Sequence, residues 1–330
     1  MVFQTIASNK QFMSAKVTFL INKSEITAGT RGASLGPDAI ITAARKKGSF
    51  IFGENTLDKI QNLNGFLDKQ TKFPFAKRID GLLSIYQELN SKVASLLSQN
   101  SFPIILAADH GSAGGTIAGI KSAFPDKRLG AVWIDAHADI HTPYTTPSGN
   151  MHGMPLASVM NIDNLECKIN EVDQETESLW NQLKNVGNTI QKIHPDDVVY
   201  VAVRDTEAQE EAVINQYGMK WFTVQDVRTK GVEAIVNGIN ERLKDCDIIY
   251  VTFDVDSMDP DLTSYGTGTP VKDGITPKEA KDLMMAMAQS PKTVCVEIVE
   301  VNPCLDEKEN TMAEVTLDIV EAITEVIKNK

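Results

Sequence analysis

The chain has 330 residues, 42% hydrophobic and 23% charged, which is enough for one large α/β domain or two small ones. Its formal net charge of −12, with no basic stripe to offset phosphate repulsion, argues against nucleic acid as a partner and reads as solubility. No apolar run approaches the roughly 18 residues of a membrane span, and Met1 to Lys16 lacks the apolar core of a leader peptide, so the expected setting is cytoplasmic. Cys167, Cys246, Cys295 and Cys304 show no Cys-x-x-Cys spacing, and Cys295 lies in an apolar strand pattern, which predicts reduced, structural thiols.

In chain order, a strand over Lys16 to Ile21 leads into the loop Ala28-Gly29-Thr30-Arg31-Gly32. Gly36-Pro37-Asp38 follows, with Pro37 set to open a helix through Ile40, Ile41 and Ala44. Ile79, Leu82, Leu83, Tyr86, Leu89, Val93, Leu96 and Leu97 recur at helical spacing and predict a long amphipathic helix. Strands are predicted at Phe102 to Leu106, Leu129 to Ile134, Val198 to Val203, Met219 to Thr223, Ile248 to Phe253 and Thr293 to Val299. Helical patterns cover Val232 to Leu243, Pro277 to Ala288 and Met312 to Ile327. Residues 161–197 are polar and read as a surface excursion with one short helix around Trp180 and Leu183. The β-α-β order implies right-handed crossovers and helices on both faces of a mostly parallel sheet. No Pro, Gly or Ser-rich linker divides the chain, so the expectation is a single three-layer α/β/α domain over residues 1–330.

Three of these strands end in metal-ligand chemistry. His110 follows the first, Asp135, His137 and Asp139 follow the second, and Asp254 and Asp256 follow the third. Strand carboxyl ends of an open parallel sheet converge on one crevice, so these groups can meet although far apart in sequence. Carboxylates brought together repel and would protonate unless multivalent positive charge were present. In Asp135-Ala136-His137-Ala138-Asp139, alternate residues of an extended segment would face one cavity, with the two alanines small against its wall. Imidazole and carboxylate ligands without thiolate suit manganese better than structural zinc, with other divalent ions open. Four aspartates balance two divalent ions, and a bridging hydroxide leaves the cluster slightly negative, which favours a cationic substrate. Such pairs, about 3.5 to 4 Å apart, acidify a bridging water, so hydrolysis is the expected chemistry.

Four of the five histidines lie between positions 110 and 152. His152, in the glycine-flanked loop Ser148-Gly149-Asn150-Met151-His152-Gly153, can shuttle a proton to a leaving amine. The plain alternative is a solvated loop histidine. His141 either lines the pocket or points outward, and His194, before Pro195, reads as surface.

These residues resemble the arginase branch of the ureohydrolase family over nearly the whole chain, from Gly29-Thr30-Arg31-Gly32 to Glu300-Val301-Asn302-Pro303. The hallmarks are Asp135-Ala136-His137-Ala138-Asp139, Ser148 to Gly153, Phe253-Asp254-Val255-Asp256-Ser257-Met258-Asp259-Pro260 and Gly268-Thr269-Pro270. The resemblance implies a three-layer α/β/α fold and a two-manganese centre that hydrolyses a guanidinium compound to urea and an amine. It implies that His110, Asp135, Asp139 and Asp254 hold one ion and His137, Asp135, Asp254 and Asp256 the other. Asp135 and Asp254 then bridge, and Asp139 orients the bridging hydroxide. It also implies a homo-oligomer, a trimer or hexamer.

Glu300, after an apolar strand, would offer a carboxylate to the guanidinium, a charge-assisted pairing of fixed geometry. By resemblance, Ser148 and Asn150 contact the substrate α-carboxylate, Glu207 and Glu210 receive its α-amino group, and Thr269 hydrogen-bonds the reacting guanidine. Ordinary loop, turn and capping roles are the alternatives for these five residues. Three departures from the family stand out. Ala107-Ala108 precede Asp109-His110 where the family has two glycines. His141 stands where arginases carry an asparagine for the substrate carboxylate, and Glu207 replaces an aspartate. The leading expectation is hydrolysis of L-arginine to L-ornithine and urea. The alternatives are another guanidino or formimino substrate (agmatine, guanidinobutyrate, formiminoglutamate), a single-zinc deacetylase of related fold, or a non-catalytic metal-bound homologue.

Overall fold

Seven short runs rich in β-branched and aromatic residues, and one polar run, form strands: β1 (Lys16–Asn22), β2 (Thr56–Lys59, the polar one), β3 (Ser101–Ala107), β4 (Leu129–Ile134), β5 (Val198–Val201), β6 (Lys220–Phe222), β7 (Ile248–Asp254) and β8 (Thr293–Val299). The computed structural model describes residues 15–330. Apart from its last two residues, the Met1 to Lys16 stretch lies outside them. The strands make one sheet in the order β2-β1-β3-β8-β7-β4-β5-β6. Every pairing between them is parallel.

The helices are α1 (Gly36–Lys47), α2 (Ile51–Glu54), α3 (Ile79–Ser98), α4 (Ala113–Ala123), α5 (Pro155–Met160), α6 (Gln174–Lys184), α7 (Ala208–Tyr217), α8 (Val224–Lys230), α9 (Val232–Arg242), α10 (Pro277–Gln289) and α11 (Thr311–Lys328). Successive strand residues point to opposite faces, so the central strands feed two cores. Leu20, Ile105, Trp133 and Tyr250 join one with the buried stripes of α3 to α7. Phe19, Ile104, Val132 and Val251 join the other with α1 and α8 to α11. Burial on both faces explains why these strands read as continuous apolar runs.

Several elements differ from the sequence reading. The β2 strand is a short, polar edge strand that pairs on one side with β1, and such segments carry no apolar signature. Helix α4, with the sequence AGGTIAGIKSA, is glycine-rich because it lies close against α3. A Cβ on Gly115 would stand 2.7 Å from Tyr86 Cα, and one on Gly119 would stand 2.7 Å from Val93 Cβ. The β5 strand stops at Val201 because Ala202 turns left-handed at φ 72°. The polar excursion over 161–197 is not wholly superficial: Trp180, 1% exposed, and Leu183 are buried in the same core as α3. Trp180 Nε1 and Lys184 Nζ both donate to Asp163 Oδ1 at 2.7 Å, which satisfies the polar ends of that docking.

The strand order matters most for the site. β3, β8, β7 and β4 are consecutive neighbours, so the residues leaving their carboxyl ends emerge side by side.

Candidate functional site

His110 begins the turn after β3, Asp135 directly follows β4, Asp254 ends β7, and Glu300 directly follows β8. The sheet therefore brings together four residues spread over 190 positions. Three ligand atoms from His110, Asp135 and Asp139 lie within 4.8 Å of one another, as do three from Asp135, His137 and Asp256, so Asp135 is shared. Asp254 Oδ2 is 3.5 Å from His110 Nδ1. All six donors predicted from sequence meet in one place.

The Asp135 to Asp139 segment does so by a different route from the one expected. It is not a continued strand: β4 ends at Ile134, and Asp139 has φ 49°, a left-handed turn. Asp can adopt that conformation because its short polar side chain tolerates it. Ala136 and Ala138 are fully buried, as the spacing required.

His110 supplies a direct test of whether a cation fits. Its Nδ1 is buried without a hydrogen-bond partner, yet lies 2.9 Å from Asp135 Oδ2 and 3.0 Å from Asp139 Oδ2. Nε2 contacts Thr252 Oγ1 at 2.8 Å, and the ring stacks on Trp133 with centroids 4.1 Å apart. The tautomer that donates Nε2–H to Thr252 leaves the Nδ1 lone pair aimed at the carboxylates, the arrangement of a metal-bound imidazole with its outer partner. His137 repeats the pattern, its Nδ1 3.1 Å from Asp256 Oδ2. Nitrogen and carboxylate donors packed this closely fit divalent cations.

The electrostatics agree. Burial raises Asp139 to about 6, with the Asp135 charge adding to it, and burial with Asp256 and Asp135 raises Asp254 well above the usual carboxylate range. Burial lowers the His110 and His137 imidazoles, but the aspartates around them prevail and hold both well above the ordinary histidine value. Without cations, protons are the positive charge the cluster retains. Asp135 alone moves down, because hydrogen bonds from the two imidazoles outweigh its burial.

A cavity of about 230 Å³ opens over this cluster, and His152, His141, Ser148, Asn150, Glu207, Glu210 and Thr269 all line it. His141 is buried and points inward: Nδ1 is 3.2 Å from Thr145 Oγ1 and Nε2 is 3.1 Å from Glu207 Oε2. Glu207 is the exposed partner, drawn down to about 2 mainly by His141. Glu210 is buried and raised well above the usual range by that burial and by Glu207. Its two oxygens accept the backbone N–H groups of Glu207, at 3.1 Å, and Ile140, at 3.3 Å. Thr269 Oγ1 donates to Asp256 Oδ2 at 3.1 Å. Glu300 is buried beside the cluster and is not among the residues that line the cavity. Its Oε1 accepts the His110 N–H at 3.0 Å and lies 3.4 Å from His152 Nδ1. His194 is exposed, as expected.

Some participants were not singled out from the sequence. Trp133 Nε1 donates to Asp135 Oδ2 at 3.1 Å. Two positions before Asp135 on the same strand face, it could have been found by period-two alternation. Asp205 lines the cavity, its Oδ2 3.7 Å from His137 Nε2. Arg204 donates to the carbonyls of Ala202, Asp256, Ser257, Val271 and Lys272 and so gathers three chain segments under the site.

Comparison with known proteins agrees with this geometry. The profile of the arginase family matches residues 17–324. An arginase of Entamoeba histolytica is 34% identical over 234 residues, covering 71% of this chain and 73% of that protein. An arginase of Bacillus subtilis is 30% identical over 293 residues, covering 89% and 92%. The crystal structure of the E. histolytica arginase in complex with L-ornithine superposes with a TM-score of 0.78 at 28% identity, over 94% of this chain and 98% of that one.

Proposed function

The chain belongs to the arginase family, and on that premise we propose that it hydrolyses the guanidinium group of L-arginine to L-ornithine and urea, as one catalytic unit with two Mn²⁺ bound. The observation that carries the reading is the buried, unpartnered His110 Nδ1 facing Asp135, Asp139 and Asp254 directly beneath a cavity that also holds His152.

His110, Asp135, Asp139 and Asp254 would hold one cation and His137, Asp135, Asp254 and Asp256 the other. When bound, the two cations supply Lewis acidity and an acidified water as nucleophile. Asp139 would orient that nucleophile toward the guanidinium carbon. Glu300 faces the Gly266 to Thr269 turn across Gly268, where an added Cβ would stand 3.8 Å from its Oε2, and it offers that oxygen to the guanidinium. Thr269 is held by Asp256 beside the reacting group. As the new C–O bond forms and the carbon–nitrogen bond to the ornithine nitrogen breaks, His152 delivers the proton that nitrogen requires. Glu300 serves that step too, because its carboxylate opposes the fall that burial imposes on the His152 imidazole; together they leave it above its ordinary value. At the far end, Ser148, Asn150 and His141 contact the α-carboxylate, while Glu207 and Glu210 take the α-ammonium side.

One observation favours a second substrate. Among the described residues no lysine or arginine lines the cavity, whereas Asp139, Asp205, Glu207, Glu210 and Asp254 do. An acidic cavity suits agmatine, cationic at both ends. Urea release by the Mn²⁺-loaded protein from L-arginine, agmatine and guanidinobutyrate, with release of formamide from formiminoglutamate, separates the readings. Preference for L-arginine supports the proposal, equal or better turnover of agmatine overturns the substrate, and inertness toward all four makes the chain a non-catalytic homologue.

A further inference from the structure

The loop over residues 71–78, remote in sequence from every site motif, is clamped onto the Ser148-Gly149-Asn150 loop. Lys77 N donates to Gly149 O at 2.8 Å. Gly149 has φ +76°, and a Cβ there would run into the Pro74 carbonyl, so the two loops meet backbone to backbone. Phe73 and Ala76 are buried beneath the turn, and Thr71 Oγ1 accepts the N–H groups of Phe73 and Arg78, each at 3.2 Å. This rigid turn holds the Lys77 ammonium 3.2 Å from Asn150 Oδ1. An ammonium can only donate, so the amide oxygen must face Lys77 and the NH₂ must face the other way. Asn150 Nδ2 then lies against Gly29, where an added Cβ would be 2.9 Å from it. Among the described residues no carboxylate pairs with Lys77, so its charge is uncompensated at the rim of an otherwise acidic cavity.

We propose that Lys77 is a positioning residue that locks the Asn150 amide, oxygen toward Lys77 and NH₂ group away from it beside Gly29, and so makes the rim select guanidino compounds that carry a carboxylate at their far end. The inference rests on the reading of the cavity given under Proposed function and deepens it. It supplies the positive charge that the lining itself lacks, one amide behind the wall.

Lys77→Met and Lys77→Arg test it, with urea release from L-arginine and agmatine and with calorimetric binding of L-ornithine and putrescine, which differ by the carboxylate. Lys77→Met raises KM for L-arginine and Kd for L-ornithine about tenfold, the scale of one charge-assisted hydrogen bond. It leaves kcat within about twofold and agmatine and putrescine unaffected. Lys77→Arg, which keeps charge and donors, restores most of the loss. Equal weakening of ornithine and putrescine, or no weakening of ornithine, overturns the proposal. If the unmodified protein releases no urea from L-arginine, the reaction assigned above falls, while the ornithine and putrescine pair still decides the role of Lys77.

Discussion

His152 Nδ1 stands 3.4 Å from Glu300 Oε1, the same oxygen that accepts the backbone N–H of His110 at 3.0 Å. One carboxylate thus couples the proposed proton donor to the turn that presents a candidate metal-binding imidazole. The Glu300 to His110 contact rests on β8 against β3, which pair directly.

That coupling has a pH signature. Burial pulls the His152 imidazole down and Glu300 pushes it up, with the net shift upward. Glu300→Gln removes the opposing charge, so the imidazole loses its proton at lower pH and the alkaline limb of log kcat against pH moves in the acid direction. His152→Asn lowers kcat by roughly 10² to 10⁴-fold, with bound metal unchanged by atomic absorption. Loss of metal in that variant would make His152 a ligand.

Asp256→Ala is expected to cost one of two bound cations after dialysis and at least about a hundredfold in urea release. Asp256 also accepts the Ala136 N–H at 3.1 Å and the Thr269 hydroxyl, so its loss frees the turn after β4 as well. Full metal content with normal turnover would remove Asp256 from the centre.

Trp133→Phe separates ring stacking from hydrogen bonding. Phenylalanine can still stack on His110 but has no N–H for Asp135 Oδ2. Metal affinity falls about tenfold, the lower end for loss of an outer partner. A competitive chelator titration reads the change, and an unaltered affinity would show that the indole N–H contributes nothing.

Removal of metal makes stability depend on pH in a definite direction. His110 and His137 have folded values raised above the unfolded one, so the stability they contribute is fully present below the unfolded value and is lost as pH rises through the folded one. Asp139, raised to about 6, and Asp254 likewise bind protons more tightly folded than unfolded and act in the same sense. Asp135 opposes them as a single group. The gap in Tm between Mn²⁺-loaded and chelator-stripped protein is therefore larger at pH 8 than at pH 6. A gap that narrows between those values would contradict the crowding of charge described above.

Much of the site was legible because His110, Asp135 and Asp254 each end a buried apolar run, and strand ends of parallel sheets share one crevice. The family hallmarks pointed to His152, Glu300 and the rim. What escaped did so for physical reasons. The Asp139 left-handed turn breaks the alternation on which the extended reading relied. The α4 glycines look like loop residues until α3 is set against them. Lys77 reaches Asn150 across 73 positions, a contact no periodicity within either segment announces.

Asp139, Ala202 and Glu300, leaving three different strands, all carry positive φ without being glycine. Each such residue costs of order 1 to 3 kcal/mol and persists only when its surroundings over-determine it. Substitutions that relax any of these three turns are therefore expected to disturb the candidate ligand cluster even where no ligand is changed.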